Sequence, residues 1–128
     1  MTYEFKIKEN DGYVHVQVTG KRQDGEAVLN ASHAGRRIVE FCRQASNYRV
    51  LVVLNLSGRL STMDSYEIAT GSEEYGWDRI FKLAFVNPNK SSVDDVKFTE
   101  TVAVNRAYSV KAFADEPDAV AWLLAGSA

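Results

Sequence analysis

The chain has 128 residues, of which 45% are hydrophobic and 25% are charged, and its formal net charge is -2. This length suits one folded domain, and the composition excludes an intrinsically disordered protein. The 15 basic and 17 acidic residues are spread along the chain without a Lys/Arg stripe, which argues against a nucleic-acid partner. We therefore expect a single domain spanning residues 1–128.

Cysteine usage and hydropathy indicate where the protein resides. Cys42 is the single cysteine, so no intramolecular disulfide can form. The first residues alternate charged with aromatic side chains and lack the apolar core of a signal peptide. No segment approaches the roughly 20 apolar residues of a membrane span. These features predict a cytoplasmic protein without integral membrane insertion.

The first predicted elements form a β-hairpin. Residues 3–8 alternate apolar with charged side chains, and residues 14–18 alternate valine with polar side chains. This period of two is typical of strands with one solvent-exposed face. Asn10, Asp11 and Gly12 lie between them and favour a tight turn. We expect this antiparallel hairpin to form one edge of a sheet.

A helix and a buried strand follow the hairpin. Apolar residues recur at three- and four-residue intervals between Asp24 and Ser46, which predicts a helix, and Asn47 is a suitable left-handed stop. The run Val50–Leu54 is apolar on both faces, as in a parallel strand buried at the centre of a sheet. This strand is predicted to end at Leu54 and to be followed by a loop that begins at Asn55.

A second helix is predicted after the central strand. Ser61 and Asp64 have the Ser-x-x-acid spacing that caps a helix start. Met63, Tyr66 and Ala69 are expected to form the inward face of this helix.

Two further strand–helix units complete the chain. A strand over residues 80–86 precedes a helix capped at Ser92 that extends to about Tyr108. A short strand over residues 110–113 precedes a last helix, for which Asp115 is the predicted cap. The residues of the last helix that are expected to face inward are Val120, Leu123 and Leu124. The fold class is thus α/β, a mixed and mostly parallel sheet with an N-terminal antiparallel hairpin and four helices.

Several segments resemble a known family. They are residues 54–57 (Leu-Asn-Leu-Ser), residues 98–106 (Phe-x-Glu-x-x-Ala-x-Asn-Arg) and the ending from Phe113-x-Asp115 to Ala121-Trp122-Leu123. Together with the element order, these segments look like the SpoIIAA-like branch of STAS proteins, over nearly the whole chain. The resemblance implies the fold described above, and a buried Trp122.

The resemblance also implies a bacterial regulatory module that binds another protein. In the best-known STAS relatives, the anti-sigma-factor antagonists, phosphorylation of a serine at the helix start after the central strand releases the partner. Ser65 matches the first serine of their Asp-Ser-Ser-Gly segment, and Tyr66 stands where the modified serine would be. One of Ser61, Thr62 or Ser65 is therefore the candidate for a substitute phospho-acceptor, and Ser65 is the one we select.

Two small-ligand interpretations compete with a protein partner at the same sheet edge. The loop around Arg59 combines free helix-start N–H groups with a positive charge, as anion sites do, and Lys90 repeats the arrangement after the next strand. Ordinary helix capping explains the same serines more simply. The hypothesised binding residues are Ser57, Gly58, Arg59, Ser61, Thr62, Ser65, Tyr66, Asn87, Lys90 and Ser92.

An amphiphilic ligand is the second alternative, because SpoIIAA-like domains are similar in fold to the Sec14 lipid-binding domain. A cavity could be lined by Tyr66, Tyr75, Trp77, Phe81 and Phe85. Aromatic residues at these spacings more often belong to a filled core.

Enzymatic constellations are mostly absent from the sequence, and the paired carboxylates Asp64/Glu67 and Glu73/Glu74 are better explained by helix capping and solvent exposure. Cys42 and His33 are predicted on opposite sides of one helix, and His15 is predicted on the strand face opposite the valines. No spacing suggests a metal site, a P-loop or a dinucleotide fingerprint. We expect no catalytic residue, no metal and no cofactor. The interpretation we prefer is a non-enzymatic interaction module whose partner is unknown, and a homodimer is an arrangement it allows.

Overall fold

The computed structural model describes residues 3–21, 27–57, 63, 67, 80–86, 101, 104 and 109–125. Within these residues, five strands form one sheet in the order β1-β2-β3-β4-β5, so each strand lies beside its neighbour in sequence. The first pair is antiparallel and the other pairs are parallel. This is the predicted architecture, with the hairpin at one edge.

The hairpin consists of β1 (Tyr3–Asn10) and β2 (Tyr13–Lys21). Asn10 pairs with Tyr13, so the turn has two central residues, Asp11 and Gly12. Gly12 has φ 83°, a left-handed conformation that glycine adopts without steric cost. A Cβ atom at Gly12 would lie 2.9 Å from Cδ2 of Leu124, so the turn also touches the end of the chain's last helix.

The central strand is β3 (Arg49–Ser57), flanked by β2 and by β4 (Lys82–Val86), with β5 (Ser109–Phe113) at the far edge. Its central position confirms the prediction for the apolar run. The strand is longer than predicted, because residues 55–57 remain paired with β2. Backbone pairing continues there since it does not depend on apolar side chains.

Helix α1 (Ala27–Ala45) covers one face of the sheet. It buries Ile38, Val39 and Cys42 against the residues of β2 and β3 whose side chains point to this face of the sheet. At the border of this core, the guanidinium carbon of Arg37 lies 5.1 Å from the centre of the Phe5 ring.

The end of α1 differs by one residue from the expected stop. Ser46, and not Asn47, adopts the left-handed conformation, with φ 54°. The N–H of Asn47 donates to the carbonyl of Cys42 at 3.1 Å, and the N–H of Ser46 donates to that of Arg43 at 3.4 Å. These two bonds form a Schellman motif, which places the left-handed residue directly after the helix. The side chain of Asn47 instead accepts a bond from the Arg49 N–H.

Helix α2 (Glu116–Leu124) covers the opposite face and buries Ala119 and Leu123 against Leu51, Val53 and other residues of β3 and β4. The predicted cap is confirmed, since the Asp115 side chain accepts a bond from the N–H of Asp118 at 3.0 Å.

The inward face predicted for this last helix is only partly correct. Val120 is half-buried and Leu123 is buried, but Leu124 is 42% exposed because it is the last helical residue. Trp122 is half-buried and not enclosed, with its ring centre 5.8 Å from that of Phe113.

The C-terminal end of α2 is held by Lys82. Its Nζ donates to the carbonyls of Trp122 at 2.6 Å and Ala125 at 2.9 Å, and it lies 4.6 Å from the centre of the Trp122 ring. Burial, followed by the charge of Arg49, lowers the pKa of Lys82.

The second and third predicted helices lie largely outside the described residues. Met63, Glu67, Thr101 and Val104, which are described, are all helical, in agreement with the predicted spans. Within the described part of the chain, no helix is both long and apolar enough to cross a membrane.

Candidate functional site

The carboxyl ends of the parallel strands define the candidate site, which we call the carboxyl edge. It is formed by the last residues of the four parallel strands, Lys21, Ser57, Val86 and Phe113. Val53 pairs with Val86, so the segment from Leu54 to Ser57 continues beyond the end of β4. Central strand β3 thus protrudes from this edge together with the end of β2.

Two polar residues that lie next to the carboxyl edge were not among the site residues predicted from the sequence. Thr19 and Asn55 are opposite each other in the β2–β3 register, where Thr19 is half-buried and Asn55 is exposed. Both lie on the α2 side of the sheet, beyond Val53. The signal that could have revealed them is the alternation of Val53, Asn55 and Ser57, which continues the strand period past the apolar run.

Most of the hypothesised binding residues lie outside the described part of the chain. Ser57 is described in its backbone alone, as the last residue of β3. The predicted site residues outside the description are Gly58, Arg59, Ser61, Thr62, Ser65, Tyr66, Asn87, Lys90 and Ser92. By chain order, Gly58 follows β3 and Asn87 follows β4, so both segments leave from neighbouring strands at the carboxyl edge.

Met63 corrects one expectation about the helix after β3. It was predicted on the inward face, yet its side chain is 65% exposed. Helical spacing identifies which residues share a face, but it does not show whether a neighbouring element reaches the first turn. Met63 is therefore a large apolar side chain presented to solvent close in sequence to the predicted loop.

The cysteine and the two histidines, all of which are described, lie in separate parts of the fold. Cys42 is fully buried on the α1 side, and burial raises the pKa of its thiol to about 11. His33 is exposed on α1. His15 points to the opposite side of the sheet, where its Nε2 lies 3.8 Å from a carboxylate oxygen of Glu116. Among the described residues, no group of three or more His, Cys, Asp or Glu side chains could hold a metal ion.

Two of the five aromatic residues predicted to line a cavity are among the described residues. Phe81 is fully buried in the α1-side core, and its ring meets that of Tyr48 edge to face at 5.3 Å. Phe85 is half-buried and packs against the same cluster. The other three aromatic residues, Tyr66, Tyr75 and Trp77, lie outside the described residues. The two that are described act as core residues.

An open polar groove lies at the opposite end of the sheet. It is lined by the hairpin turn, Glu9–Tyr13, together with Asn47. Within it, Nδ2 of Asn10 donates to the hydroxyl of Tyr13 at 3.0 Å. The groove is therefore separate from the carboxyl edge.

Comparison with solved structures places this fold among known proteins. An anti-sigma factor antagonist from Mycobacterium paratuberculosis superimposes with a TM-score of 0.62 at 13% sequence identity, and the match covers 95% of this chain and 94% of that one. No protein-family model matches the chain, and no curated protein sequence matches it significantly. The chain therefore shares the fold of this antagonist.

Proposed function

We propose that this protein is a non-enzymatic regulatory module that binds another protein through the carboxyl edge. The observation that carries this proposal is the fold match to an anti-sigma factor antagonist across almost the full length of both chains. A fold by itself hosts many functions, so the proposal also needs a surface. The protruding end of β3 and the exposed Asn55 supply one.

The binding surface in this proposal combines described and undescribed residues. Thr19 and Asn55 form its described part, on the end of the β2–β3 pair. The residues proposed to extend it are Ser57, Gly58, Arg59, Ser61, Thr62, Ser65, Tyr66, Asn87, Lys90 and Ser92. Exposed Met63 adds an apolar contact at the same helix start. Apolar side chains surrounded by polar groups are typical of protein-binding surfaces.

The partner in this proposal is a protein of the anti-sigma-factor class, in the bacterial cytoplasm. Ser65 is the proposed phospho-acceptor that regulates binding. A phosphate there would add negative charge at a helix start, which changes the surface that a partner meets. Mass spectrometry of protein purified from its own host checks this step, and unmodified Ser61, Thr62 and Ser65 would argue against it.

A binding experiment with charge variants tests the proposal. Purified anti-sigma factors encoded in the same genome are titrated by calorimetry against the wild type, Asn55→Arg and Arg59→Glu. We expect one of them to bind the wild type and to bind both variants at least about tenfold more weakly, because a new charge at an interface removes complementarity. Arg36→Glu on the exposed face of α1 is the matched control and should bind like the wild type. Equal binding by all four proteins would contradict this site.

Native mass spectrometry of the purified protein separates this proposal from a small-ligand carrier. A protein-binding module should show the mass of its polypeptide chains, as monomer or dimer, without an added small molecule. A retained amphiphilic molecule would favour the Sec14-like alternative, and a retained anion lost in Arg59→Ala would favour the anion site.

A further inference from the structure

Among the described residues, strand β1 forms an open border of the sheet. Within the described part of the chain it pairs with β2 alone, along its full length of eight residues. The opposite border strand, β5, has five residues. A long border strand presents a row of backbone N–H and C=O groups that can pair with another strand.

The hairpin geometry determines which backbone groups of β1 point outward. Asn10 and Tyr13 close a two-residue turn, so their backbones exchange the first hydrogen-bonded pair. The pairs alternate from there, and the even-numbered residues of β1 bond to β2. The odd-numbered residues Phe5, Ile7 and Glu9 therefore direct their N–H and C=O groups to the open side.

We propose that β1 pairs antiparallel with β1 of a second copy of this chain, and that the two sheets join into one. In this dimer the twofold axis is perpendicular to the sheet at Phe5, which lies opposite the partner's Phe5. The outward backbone groups of odd-numbered residues then meet each other, as antiparallel pairing requires. The side chains of each face also stay on the same side in both copies.

The charged side chains of β1 favour this pairing register over the adjacent registers. Glu4, Lys6 and Lys8 alternate on one face of the strand, and all three are exposed. With Phe5 at the axis, Glu4 lies opposite the partner's Lys6, and Lys6 lies opposite the partner's Glu4. With Lys6 at the axis, Lys6 would lie opposite the partner's Lys6. With Ile7 at the axis, Lys6 would lie opposite the partner's Lys8. Like charges directly opposite one another are destabilising, so both registers are disfavoured.

The same charges favour a second copy over an unrelated strand. Lysines on a border strand normally discourage pairing, because a foreign strand seldom brings carboxylates to the right positions. The second copy brings Glu4 to Lys6 twice by symmetry. On the other face, Phe5 and Ile7 are half-buried and pack against the α1-side core, with Arg37 over the Phe5 ring. Pairing would cover the remaining exposed edge of these two side chains.

A charge-exchange experiment tests the dimer by sedimentation velocity. The wild type should dimerise, whereas Glu4→Lys and Lys6→Glu should each weaken self-association by about tenfold or more, because each places like charges opposite one another twice. A mixture of the two variants should dimerise again, since each Lys of one chain then faces a Glu of the other. The double variant Glu4→Lys/Lys6→Glu should also dimerise.

Two measurements make the outcome decisive. Lys8→Glu changes the same face but has no charged residue directly opposite it in this register, so it should weaken self-association far less than Glu4→Lys or Lys6→Glu. Thermal unfolding of every variant checks that these exposed substitutions leave the fold intact. A monomeric wild type, or a dimer whose affinity none of the exchanges changes, would overturn the proposal.

Discussion

Lys82 shows how one side chain links the sheet to the last helix. It comes from β4, yet its Nζ bonds the carbonyls of Trp122 and Ala125 at the end of α2. The last carbonyls of a helix have no partners within it and carry partial negative charge, so a cation there is favourable. The same ammonium group lies over the Trp122 ring, which keeps this half-buried aromatic in place.

We predict that Lys82→Met lowers the free energy of unfolding by about 1–2 kcal/mol, because the methionine retains the aliphatic stem but removes both charged hydrogen bonds. Urea denaturation measures this loss. Lys111→Met is the matched control, since Lys111 is exposed and contacts the Phe113 ring at 5.5 Å without such bonds. It should cost about 0.5 kcal/mol. Equal losses in the two variants would show that the bonds to α2 contribute nothing.

At the scale of elements, the hairpin turn and α2 come into contact although they are far apart in sequence. Gly12 lies at the tip of the turn with φ 83°, and Leu124 ends the helix. A Cβ atom added at Gly12 would lie only 2.9 Å from Leu124 Cδ2, which is too short for an unchanged structure. The backbone conformation therefore favours glycine at this position, whereas the close contact is to a terminal methyl of an exposed, flexible leucine that can rotate away.

We predict that Gly12→Ala lowers the free energy of unfolding by about 1–2 kcal/mol, mostly from left-handed strain and to a smaller extent from the contact to Leu124. Chemical denaturation of the single variants and of Gly12→Ala/Leu124→Ala measures the two causes. The double variant should recover the contact part and retain the strain. If the two losses simply add, the turn and the helix do not interact.

Sequence patterns predicted elements better than their ends. The alternation in the hairpin and the apolar run of β3 identified the strands, because burial imposes those periods directly. Asn55 and Ser57 looked like loop residues, yet they continue β3, because pairing with β2 satisfies their backbones whatever the side chain. Similarly, Asn47 is a common left-handed residue, but the hydrogen bonds at the end of α1 assign that conformation to Ser46.

The candidate site was less predictable than the fold for a different reason. Sequence order shows which loops follow which strands, and the sheet confirms that β3 and β4 are neighbours. Exposure depends on what covers a residue, and spacing alone does not show that. Met63 and Leu124 were both assigned to inward faces by spacing, and both are exposed.

For the molecule as a whole, Cys42 reports on separation of α1 from the sheet. Its side chain is fully buried between them. Burial raises the pKa of the thiol to about 11 from its ordinary value of 9.0. Since the thiolate is the reactive form, the native thiol is both inaccessible and protonated at neutral pH.

We predict that thiol reagents label Cys42 at neutral pH only as fast as the protein opens, and at full rate in urea. We also predict that stability falls as pH rises from about 9 to 11, because the unfolded thiol loses its proton first in this range. Denaturation of the wild type and Cys42→Ala across this range isolates the effect, since other groups titrate in both. The same pH dependence in the two proteins would contradict it.

The sequential strand order has a consequence for synthesis on the ribosome. Each strand emerges beside the one made just before it, so the sheet can grow from the hairpin without waiting for distant segments. The α2 side differs, because Leu51 and Val53 are covered by a helix made more than fifty residues later. Until that helix leaves the exit tunnel, the nascent sheet exposes an apolar face, which makes it a natural substrate for chaperones.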